Sequence, residues 1–567
     1  MAEPSITILV GGEAGQGLVT VGELMAKALV RAGYDIVVTQ DYQSRIRGGH
    51  NTFAIRAGPG PVLGPGEQVD ILVALNAETV ERHRGQLKSA AVVVADEAIP
   101  TDGLPAGVQT LKVPLRTLAP KPLFDNVAAL GVLGSAVCND IGILEGLIRQ
   151  TFGKKGAEIV EENLKVLRAA YAWVRTQDFV FACMPPPAEG RGGRLMLHGN
   201  EAIALGALAA GCNFLSFYPM TPGTSVAIAL IDKGRTLGFV AEQAEDEIAA
   251  VNMAIGASFA GARSVVTTSG GGFALMVEAV SLAAMIETPL VIVLVQRPGP
   301  ATGLPTRTEQ ADLNLALYAG HGEFPRAILT PGTVEECFHL THRAFDLAER
   351  FQGPMFVLSD QFLADSFRAV EPFDLTALPA IPEPVVPTDP ASYRRFEVTG
   401  DGVSPRAVPG ASAALVRVDS DEHTPEGFIT EDPAVRLAQA DKRLRKGLAL
   451  AAETMPPEHF GEDAPELLLV CWGSTLGACL EAAERLAEQG KKAAVLHFKQ
   501  VWPLSEAQFL GFLESAGTVV AVEGNATGQF ARLVRQETGF TIENLILRYD
   551  GYPLTAGYIL KGLAGIG

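Results

Sequence analysis

The sequence predicts an α/β protein built from three α/β domains. Short apolar runs with the character of buried strands alternate along the chain with stretches of helical periodicity. The 567 residues exceed what a single core holds, because domains usually span roughly 100–200 residues. Proline-rich segments separate the alternating regions. We therefore predict domains at 1–184, 197–371 and 461–567, joined by a linker at 185–196 and a connector at 372–460.

Composition and charge exclude several classes of protein. The formal net charge of -19 argues against nucleic-acid binding, which depends on clustered lysine and arginine. No apolar run approaches the roughly 20 residues that a membrane-spanning helix needs. Residues 1–16 lack the basic and long apolar parts of a signal peptide. We therefore expect a cytoplasmic protein that binds neither nucleic acid nor membrane.

The six cysteines are spaced too widely for an iron–sulfur or zinc motif. No two of them are separated by only two residues. The nearest approach to a metal site is a helical segment with Cys337, His339 and His342, where core and surface roles are commoner than ligation. We predict no metal site in this chain and expect the cysteines to be small buried residues.

The first domain opens with a glycine-rich loop between a strand and a helix. A predicted strand at 6–10 runs into the loop at 11–17, and a helix with an apolar face follows. Free amides and the helix dipole at such a junction can hold a phosphate group. The spacing matches neither standard fingerprint, because Ala14 replaces the second glycine of the dinucleotide pattern and Leu18 replaces the P-loop lysine. A phosphate site and a loop that only packs against a neighbour both remain open.

A second polar loop follows the predicted strand at 36–39. Arg45 and Arg47 lie there beside paired glycines that begin at Gly48. Two guanidinium groups on a flexible turn can clamp an anion, but a solvated turn has the same composition. A mainly helical region at 126–175 closes the domain.

Three polar patches dominate the second domain. The first is YPMTPGTS at 218–225, where prolines on both sides of Thr221 stiffen a turn after an apolar strand. The second, EDEIAA at 245–250, opens an alanine-rich helix, and the third, RPGPATGLPT at 297–306, follows another apolar strand. Each patch places polar groups on a rigid turn or helix start. Together they predict a site for a small anion and a flat heterocycle.

The last domain alternates strands and helices again. Predicted strands at 467–471, 493–496 and 518–522 are separated by helical stretches. This order predicts a small doubly wound sheet.

The three patches taken together resemble the α subunit of 2-oxoacid:ferredoxin oxidoreductases, and within that group the 2-oxoglutarate type. The N-terminal domain, with its glycine loop and the segment RIRGGH, resembles the γ subunit of that family fused in front. The resemblance covers nearly the whole chain. It implies a γ-type domain, a doubly wound domain that binds the pyrimidine of thiamine diphosphate, and a domain like the C-terminal domain of transketolase.

The resemblance also implies roles for individual residues. Glu247 matches the family's catalytic carboxyl group, which hydrogen-bonds N1′ of the pyrimidine and stabilises its imino tautomer, and Glu245 remains an alternative. The other implied cofactor contacts at this site are Tyr218 and Pro219. The implied contacts of the substrate carboxylate are Arg297, Thr221, Thr302 and Thr306. The implied coenzyme A contacts are Gly12, Gly15, Gln16, Gly17, Arg45, Arg47 and Gly48.

A missing motif predicts a partner subunit. Thiamine enzymes hold Mg²⁺ and the diphosphate with Gly-Asp-Gly and an asparagine roughly 25–30 residues later. Gly400, Asp401 and Gly402 form the triplet here, but the next asparagine is Asn525. The resemblance therefore implies a β subunit that brings the diphosphate site, Mg²⁺ and a [4Fe–4S] cluster, in an α2β2 heterotetramer that reduces ferredoxin.

The function that the resemblance implies is CoA-dependent oxidative decarboxylation of a 2-oxoacid, 2-oxoglutarate by family type, to an acyl-CoA and CO₂. Pyruvate or a branched-chain 2-oxoacid is the alternative substrate. A thiamine enzyme without electron transfer, and a nucleotide or acyl-CoA sensor without catalysis, are the alternative classes.

Overall fold

The computed structural model describes residues 5–43, 48–121, 124–177 and 183–566. It divides the chain into two compact units: Met1–Leu197 with Asp365–Phe373, and His198–Ala364 with Asp374–Gly567. Arg45 and Arg47 of the predicted anion clamp lie outside the described residues. In the described part of the chain, no helix is both long enough and apolar enough to cross a membrane.

Strands and helices are numbered in chain order. Among the described residues, the strands are β1 (Ile6–Glu13), β2 (Asp35–Asp41), β3 (His50–Gly58), β4 (Val69–Ala74), β5 (Leu87–Asp96), β6 (Gln109–Val113), β7 (Leu195–Leu197), β8 (Phe214–Phe217), β9 (Val240–Gln243), β10 (Ser264–Thr268), β11 (Leu290–Gln296), β12 (Ala327–Leu329), β13 (Pro354–Asp360), β14 (Arg368–Val370), β15 (Glu458–Phe460), β16 (Leu467–Trp472), β17 (Ala493–Phe498), β18 (Gln500–Trp502), β19 (Thr518–Glu523) and β20 (Asn544–Leu547). The helices are α1 (Leu18–Arg31), α2 (Ala77–His83), α3 (Leu115–Leu118), α4 (Asp125–Ala136), α5 (Ile141–Phe152), α6 (Ala157–Val174), α7 (Gly199–Ala209), α8 (Thr224–Gly234), α9 (Glu247–Phe259), α10 (Gly270–Met285), α11 (Leu313–Leu317), α12 (Val334–Phe351), α13 (Gln361–Asp365), α14 (Pro433–Ala451), α15 (Leu476–Glu488), α16 (Leu510–Ser515), α17 (Gln529–Thr538) and α18 (Ala556–Leu563).

The first unit is organised around a sheet of order β6-β5-β4-β1-β3-β2-β14-β7. Strands β1, β4, β5 and β6 run parallel, and β3 lies antiparallel between β1 and β2. Helix α1 buries Val21 and Met25 in the same core as Phe53 of β3. Gly22 permits this close packing, because a Cβ there would lie 2.3 Å from the Phe53 ring. The strand is longer than predicted, because the first three residues of the predicted glycine loop continue β1 to Glu13 and pair with β3. The rest of the loop lies at the carboxyl end of β1, the edge at which α/β sheets usually bind ligands.

The second unit contains two sheets. The larger has the order β18-β12-β13-β11-β10-β8-β9 and is parallel except for β18. The smaller has the order β15-β17-β16-β19-β20 and is parallel except for β15. Mostly parallel sheets with connecting helices confirm the predicted α/β class.

Strand β18 joins the larger sheet although its sequence lies in the predicted third domain. It pairs antiparallel with β12, with Trp502 opposite Ile328. The amide of Thr330 also donates to the carbonyl of Lys499 at 2.8 Å. Strand periodicity cannot reveal this, because it identifies a strand and not the sheet that accepts it. The finer domain boundaries predicted from the sequence stay a proposal.

A buried ionic cluster anchors the predicted connector to α10. Glu287 lies just after α10 and forms ion pairs with Lys442 at 2.6 Å and with Lys446 at 2.9 Å. All three side chains are at most 2% exposed. The two lysines face the same way because they are four residues apart on α14. The Arg395 guanidinium donates to the carbonyl of Glu287. Burial alone would raise the pKa of Glu287, but the three cations outweigh it and hold this pKa at about 2.

Replacing Glu287 with glutamine should lower the stability of the protein strongly. The change leaves Lys442 and Lys446 buried without their counter-ion, and breaking a buried pair in this way costs about 3–5 kcal/mol. We expect a clear fall in the apparent melting temperature, measured by calorimetry at pH 7. Glu462→Gln is the matched control, because its 3.3 Å pair with Lys492 is more than half exposed on both sides. Equal melting temperatures for the two variants would contradict the assignment.

Two of the six cysteines depart from the prediction. Cys138 and Cys183 are joined by a disulfide, with Cα atoms 5.6 Å apart. The other four cysteines are free and buried, as predicted; they are Cys212, Cys337, Cys471 and Cys479. The prediction was wrong for the pair because the packing that follows α4 brings together residues 45 positions apart, which no local spacing reveals.

Candidate active site

The first element of the site is a buried carboxyl group at the start of α9. Glu247 is the first residue of this helix, and Asp246 caps it by accepting from the Ala249 amide at 2.7 Å. Glu247 is only 4% exposed, and its Oε1 has no hydrogen-bond partner among the described residues. An unsatisfied buried acceptor costs about 1–3 kcal/mol. Such a carboxyl is therefore suited to bind a donor on a ligand.

The structure distinguishes between the two candidate glutamates. Glu245 is exposed, whereas Glu247 is buried. Only the buried carboxyl combines the shielded position and the free acceptor oxygen that binding a heterocyclic nitrogen requires. The geometry therefore favours Glu247.

The triple glycine at the start of α10 meets this carboxyl group. A Cβ on Gly272 would lie 2.6 Å from Glu247 Oε1 and 2.3 Å from Thr268 Oγ1. The Gly272 amide donates to Met220 Sδ at 3.2 Å. The first and second sequence patches therefore meet at Gly272. Gly272 was not among the predicted site residues, although three consecutive glycines at a helix start were the available signal.

The third patch meets the first through Arg297. Arg297 follows β11, is 9% exposed, and donates from Nη1 to the carbonyl oxygen of Thr221. Its Nε has no hydrogen-bond partner among the described residues. The peptide bond between Thr221 and Pro222 is cis, and that between Gly299 and Pro300 is cis as well. A mostly buried guanidinium group with a free N–H is suited to bind a carboxylate.

Burial differs among the other predicted residues. Thr306 is buried, Thr221 is half-buried, and Thr302 is exposed in the loop that Leu304 closes by donating to the Pro298 carbonyl at 3.1 Å. Tyr218 and Pro219 are both exposed. Of these residues, Thr221 contacts Arg297 through its carbonyl oxygen. The roles of Tyr218, Pro219, Thr302 and Thr306 stay predictions.

The predicted site residues did not include two carboxyl groups, Asp312, which lies near Arg297, and Glu309, which lies near Asp312. The amide of Asp312 donates to Gln296 Oε1 at 2.9 Å, which places it beside the end of β11. Burial raises the pKa of Asp312 to about 6, and the charge of Arg297 opposes this rise. Burial and the charge of Asp312 raise the pKa of Glu309 to about 7. The available signal was the pair of acidic residues that follows the third patch in the sequence.

The pKa of Glu309 predicts that substrate affinity depends on pH. Below about pH 7 this carboxyl group is protonated, so there is less negative charge beside Asp312, which in turn lies near Arg297, to repel a substrate carboxylate. We expect the KM for the 2-oxoacid to rise as the pH increases from 6 to 8, measured by steady-state kinetics of the assembled enzyme. Glu309→Gln should flatten this part of the profile. A variant with an unchanged inflection would exclude Glu309 as its source.

The side chain of Gln16 closes the glycine loop of the first unit. Gln16 Oε1 accepts from the Glu13 amide at 2.7 Å. Gly17 caps α1 with φ 78°, and a Cβ there would lie 1.9 Å from the Asn126 side chain. Gly15 also has a positive φ, with open space around it. The loop thus packs against a neighbour on one side and is open on the other, so the assignment of Gly12, Gly15, Gln16, Gly17 and Gly48 to coenzyme A stays a prediction.

Matches to family models define the class of protein: an oxidoreductase with a domain that binds thiamine diphosphate. Residues 205–442 match the family model "Pyruvate flavodoxin/ferredoxin oxidoreductase, thiamine diP-bdg". Residues 7–173 match "Pyruvate ferredoxin/flavodoxin oxidoreductase", and residues 460–540 match "Transketolase, C-terminal domain". These matches confirm the three kinds of domain that the resemblance implied.

The chain belongs to the family of 2-oxoacid:ferredoxin oxidoreductase α subunits. It is 32% identical to subunit alpha of 2-oxoacid:ferredoxin oxidoreductase 2 of Aeropyrum pernix, over 97% of this chain and 96% of that protein. It is 31% identical to the 2-oxoglutarate oxidoreductase subunit KorA of Mycobacterium tuberculosis, over 94% of this chain and 87% of the relative. A solved 2-oxoglutarate:ferredoxin oxidoreductase from Magnetococcus marinus, with 2-oxoglutarate, coenzyme A and succinyl-CoA bound, is similar over 100% of both chains, with a TM-score of 0.93 and 31% identity. The family prediction is confirmed, and the chain is an oxidoreductase subunit of a multisubunit enzyme.

Proposed function

We propose that this chain is the α subunit of a cytoplasmic, CoA-dependent 2-oxoglutarate:ferredoxin oxidoreductase. The reaction converts 2-oxoglutarate and CoA into succinyl-CoA and CO₂ and passes electrons to ferredoxin. The observation that carries this proposal is the meeting of the three patches: Glu247 and Met220 at Gly272, and Thr221 at Arg297. The names of the KorA relatives and of the Magnetococcus marinus enzyme support 2-oxoglutarate as the substrate.

The residues around Glu247 fit the pyrimidine of thiamine diphosphate. The free Oε1 supplies a buried acceptor, and the missing Cβ of Gly272 keeps its approach open. When bound, thiamine diphosphate supplies the carbanion chemistry that cleaves the bond beside a 2-oxo group. Glu247 holds and exchanges a proton with the pyrimidine nitrogen, and Tyr218 and Pro219 provide contacts on the exposed side of the site.

Arg297 binds the carboxylate next to the oxo group of the substrate. Its Nη1 is already held by the Thr221 carbonyl, which orients the guanidinium plane, and its Nε remains free to donate. A preoriented fork loses little freedom on binding a planar carboxylate. Thr221, Thr302 and Thr306 complete the contacts in this proposal, and Asp312 sets the local charge against which the substrate binds.

A β subunit must complete the cofactor site. The triplet Gly400-Asp401-Gly402 has a structural role: Asp401 Oδ1 accepts from the Val403 amide at 3.0 Å. A Cβ on Gly402 would lie 2.4 Å from the Lys442 carbonyl oxygen, so the triplet packs against α14. We therefore assign the diphosphate pocket, Mg²⁺ and the [4Fe–4S] cluster to the β subunit of an α2β2 complex. The first unit, with its glycine loop and the segment that includes Arg45 and Arg47, is assigned to coenzyme A.

Pyruvate is the second candidate substrate, because two matched family models carry its name. To test both, the chain is co-expressed with its β partner, and viologen reduction is measured with 2-oxoglutarate, pyruvate or a branched-chain 2-oxoacid. We expect CoA-dependent reduction with the highest kcat/KM for 2-oxoglutarate. A higher value for pyruvate would replace the substrate assignment. Decarboxylation without dye reduction would overturn the proposed electron transfer.

A further inference from the structure

A histidine and two glutamates from three different elements converge in the second unit, apart from the residues assigned above. They are Glu336 of α12, Glu458 of β15 and His497 of β17, and one ligand-type atom from each lies within 4.8 Å of the others. Glu458 and His497 are direct cross-strand partners in the β15–β17 pair. Opposite residues of an antiparallel pair project from the same face, so the register itself brings these two side chains together.

The protein partners of the histidine do not account for both of its ring nitrogens. His497 is 0% exposed, the backbone of Gly473 is the hydrogen-bonding neighbour of its ring among the described residues, and at least one ring nitrogen is left without a partner. Buried polar side-chain atoms are nearly always hydrogen-bonded or bound to an ion. Imidazole and carboxylate oxygens are together a common ligand set for Zn²⁺.

The third ligand is held by the start of its helix. Thr333 caps α12 by accepting from the Glu336 amide at 3.1 Å. Glu336 Oε2 in turn accepts from the Gly332 amide at 2.6 Å. A Cβ on Gly332 would lie 2.7 Å from His497 Nε2, so glycine at this position allows the loop to approach the imidazole. Backbone amides of the loop before the helix therefore orient the Glu336 carboxyl group, which lies within ligand distance of Glu458 and His497.

We propose that Glu336, Glu458 and His497 form a binding site for a single divalent transition-metal ion of the Zn²⁺ type, with the fourth position open to water. This site shares no residue with the proposed thiamine and coenzyme A sites. The bound ion would connect α12, which covers the larger sheet, to the β15–β17 edge of the smaller sheet. It would therefore have a structural role in the second unit.

The position of the site links it to the loop beside Arg297. A Cβ on Gly332 would lie 2.8 Å from the Gly473 carbonyl oxygen, and a Cβ on Gly473 would lie 2.9 Å from Gln310 Nε2. Gln310 also donates from Nε2 to the Trp472 carbonyl at 3.0 Å, and it directly follows Glu309. An ion that fixes Gly332 against His497 would also restrain this chain of contacts.

Lys499 is the competing explanation for the negative charge. Its ammonium group forms an ion pair with Glu458 Oε1, so one carboxylate already has a cation. The pair leaves Glu336, His497 and Glu458 Oε2 available. Lys499 also makes a matched control possible, because its removal breaks the same ion pair as Glu458→Gln and leaves all three ligands in place.

The test is Zn²⁺ binding to the full-length chain after chelator treatment, measured by titration calorimetry and by the apparent melting temperature with and without Zn²⁺. We expect one tight site per chain and a higher melting temperature with the ion, because binding to the folded state alone stabilises it. Losing a hydrogen bond to a metal ligand typically weakens binding roughly 10–100-fold. Losing the ligand itself, in Glu458→Gln or His497→Gln, should therefore weaken binding by more than about 10-fold.

The matched control is Lys499→Gln. This variant should bind Zn²⁺ at least as tightly as the wild type, because it removes the competing cation. Glu458 is partly exposed on an edge strand, so Glu458→Gln keeps the test available if the buried His497→Gln variant fails to fold. The proposal is overturned if the wild-type chain shows no stoichiometric Zn²⁺ binding, or if Glu458→Gln binds Zn²⁺ as tightly as the wild type.

Discussion

Glu247→Gln is expected to leave the assembled enzyme folded and to lower its kcat by roughly 10²–10⁴-fold, the usual contribution of a positioned acid–base group. Glutamine has nearly the same shape, so the close contact with Gly272 is preserved. The amide places a polar atom without a partner at the same buried position as the carboxyl oxygen does, so we expect little change in stability. The amide cannot exchange a proton as the carboxyl group does, and this defect accounts for the fall in rate.

The measurement is substrate-dependent viologen reduction by the complex with its β subunit, together with the melting temperature of each variant. Glu245→Gln is the matched control, because it makes the same substitution on an exposed residue two positions earlier. It should retain nearly full activity. If Glu247→Gln remains active while Glu245→Gln does not, the activating carboxyl group is Glu245.

Arg297→Lys is expected to raise the KM for the 2-oxoacid by roughly 10–100-fold while the KM for CoA stays nearly constant. Hydrogen bonds to charged groups contribute about 1.5–3 kcal/mol, and every 1.36 kcal/mol corresponds to a factor of ten. Lysine keeps the positive charge beside Asp312 but loses the planar fork that Thr221 orients. The effect should therefore fall on carboxylate binding.

Arg297→Ala removes both the positive charge and the planar guanidinium group, whereas Arg297→Lys removes only the planar group. It removes the cation that opposes the neutralisation of Asp312, so the pKa of Asp312 should rise further above about 6. We expect a larger rise in the substrate KM than in Arg297→Lys and a lower melting temperature. Steady-state kinetics with the 2-oxoacid and CoA varied separately provide the test. Equal changes in both KM values would remove Arg297 from the substrate carboxylate site.

The fold and the parts of the site that depend on neighbouring residues were predictable from sequence. The strand before the glycine loop, the start of α9 at Glu247 and the turn around Thr221 each follow from a short run of residues. The presence of these features together in one chain indicated the family, which the comparisons confirm. The choice between Glu245 and Glu247 was not predictable, because burial depends on what packs over the helix start.

The remaining features depend on contacts between distant parts of the chain. Asp312 and Glu309 acquire raised pKa values because folding buries them, and the charge of Asp312 raises the pKa of Glu309 further. Strand β18 joins a sheet that its sequence position does not indicate. The disulfide between Cys138 and Cys183 likewise connects residues without a spacing motif.

Local periodicity and runs of adjacent residues were therefore sufficient to predict the α/β class, the family and the three short patches that carry the chemistry. Three-dimensional packing was needed to show which carboxyl group is shielded, that Asp312 lies near Arg297, and that Glu336, Glu458 and His497 converge. The physical reason is that burial and electrostatic coupling depend on distance in space, and residues more than a hundred positions apart come into contact only when the sheets and helices pack.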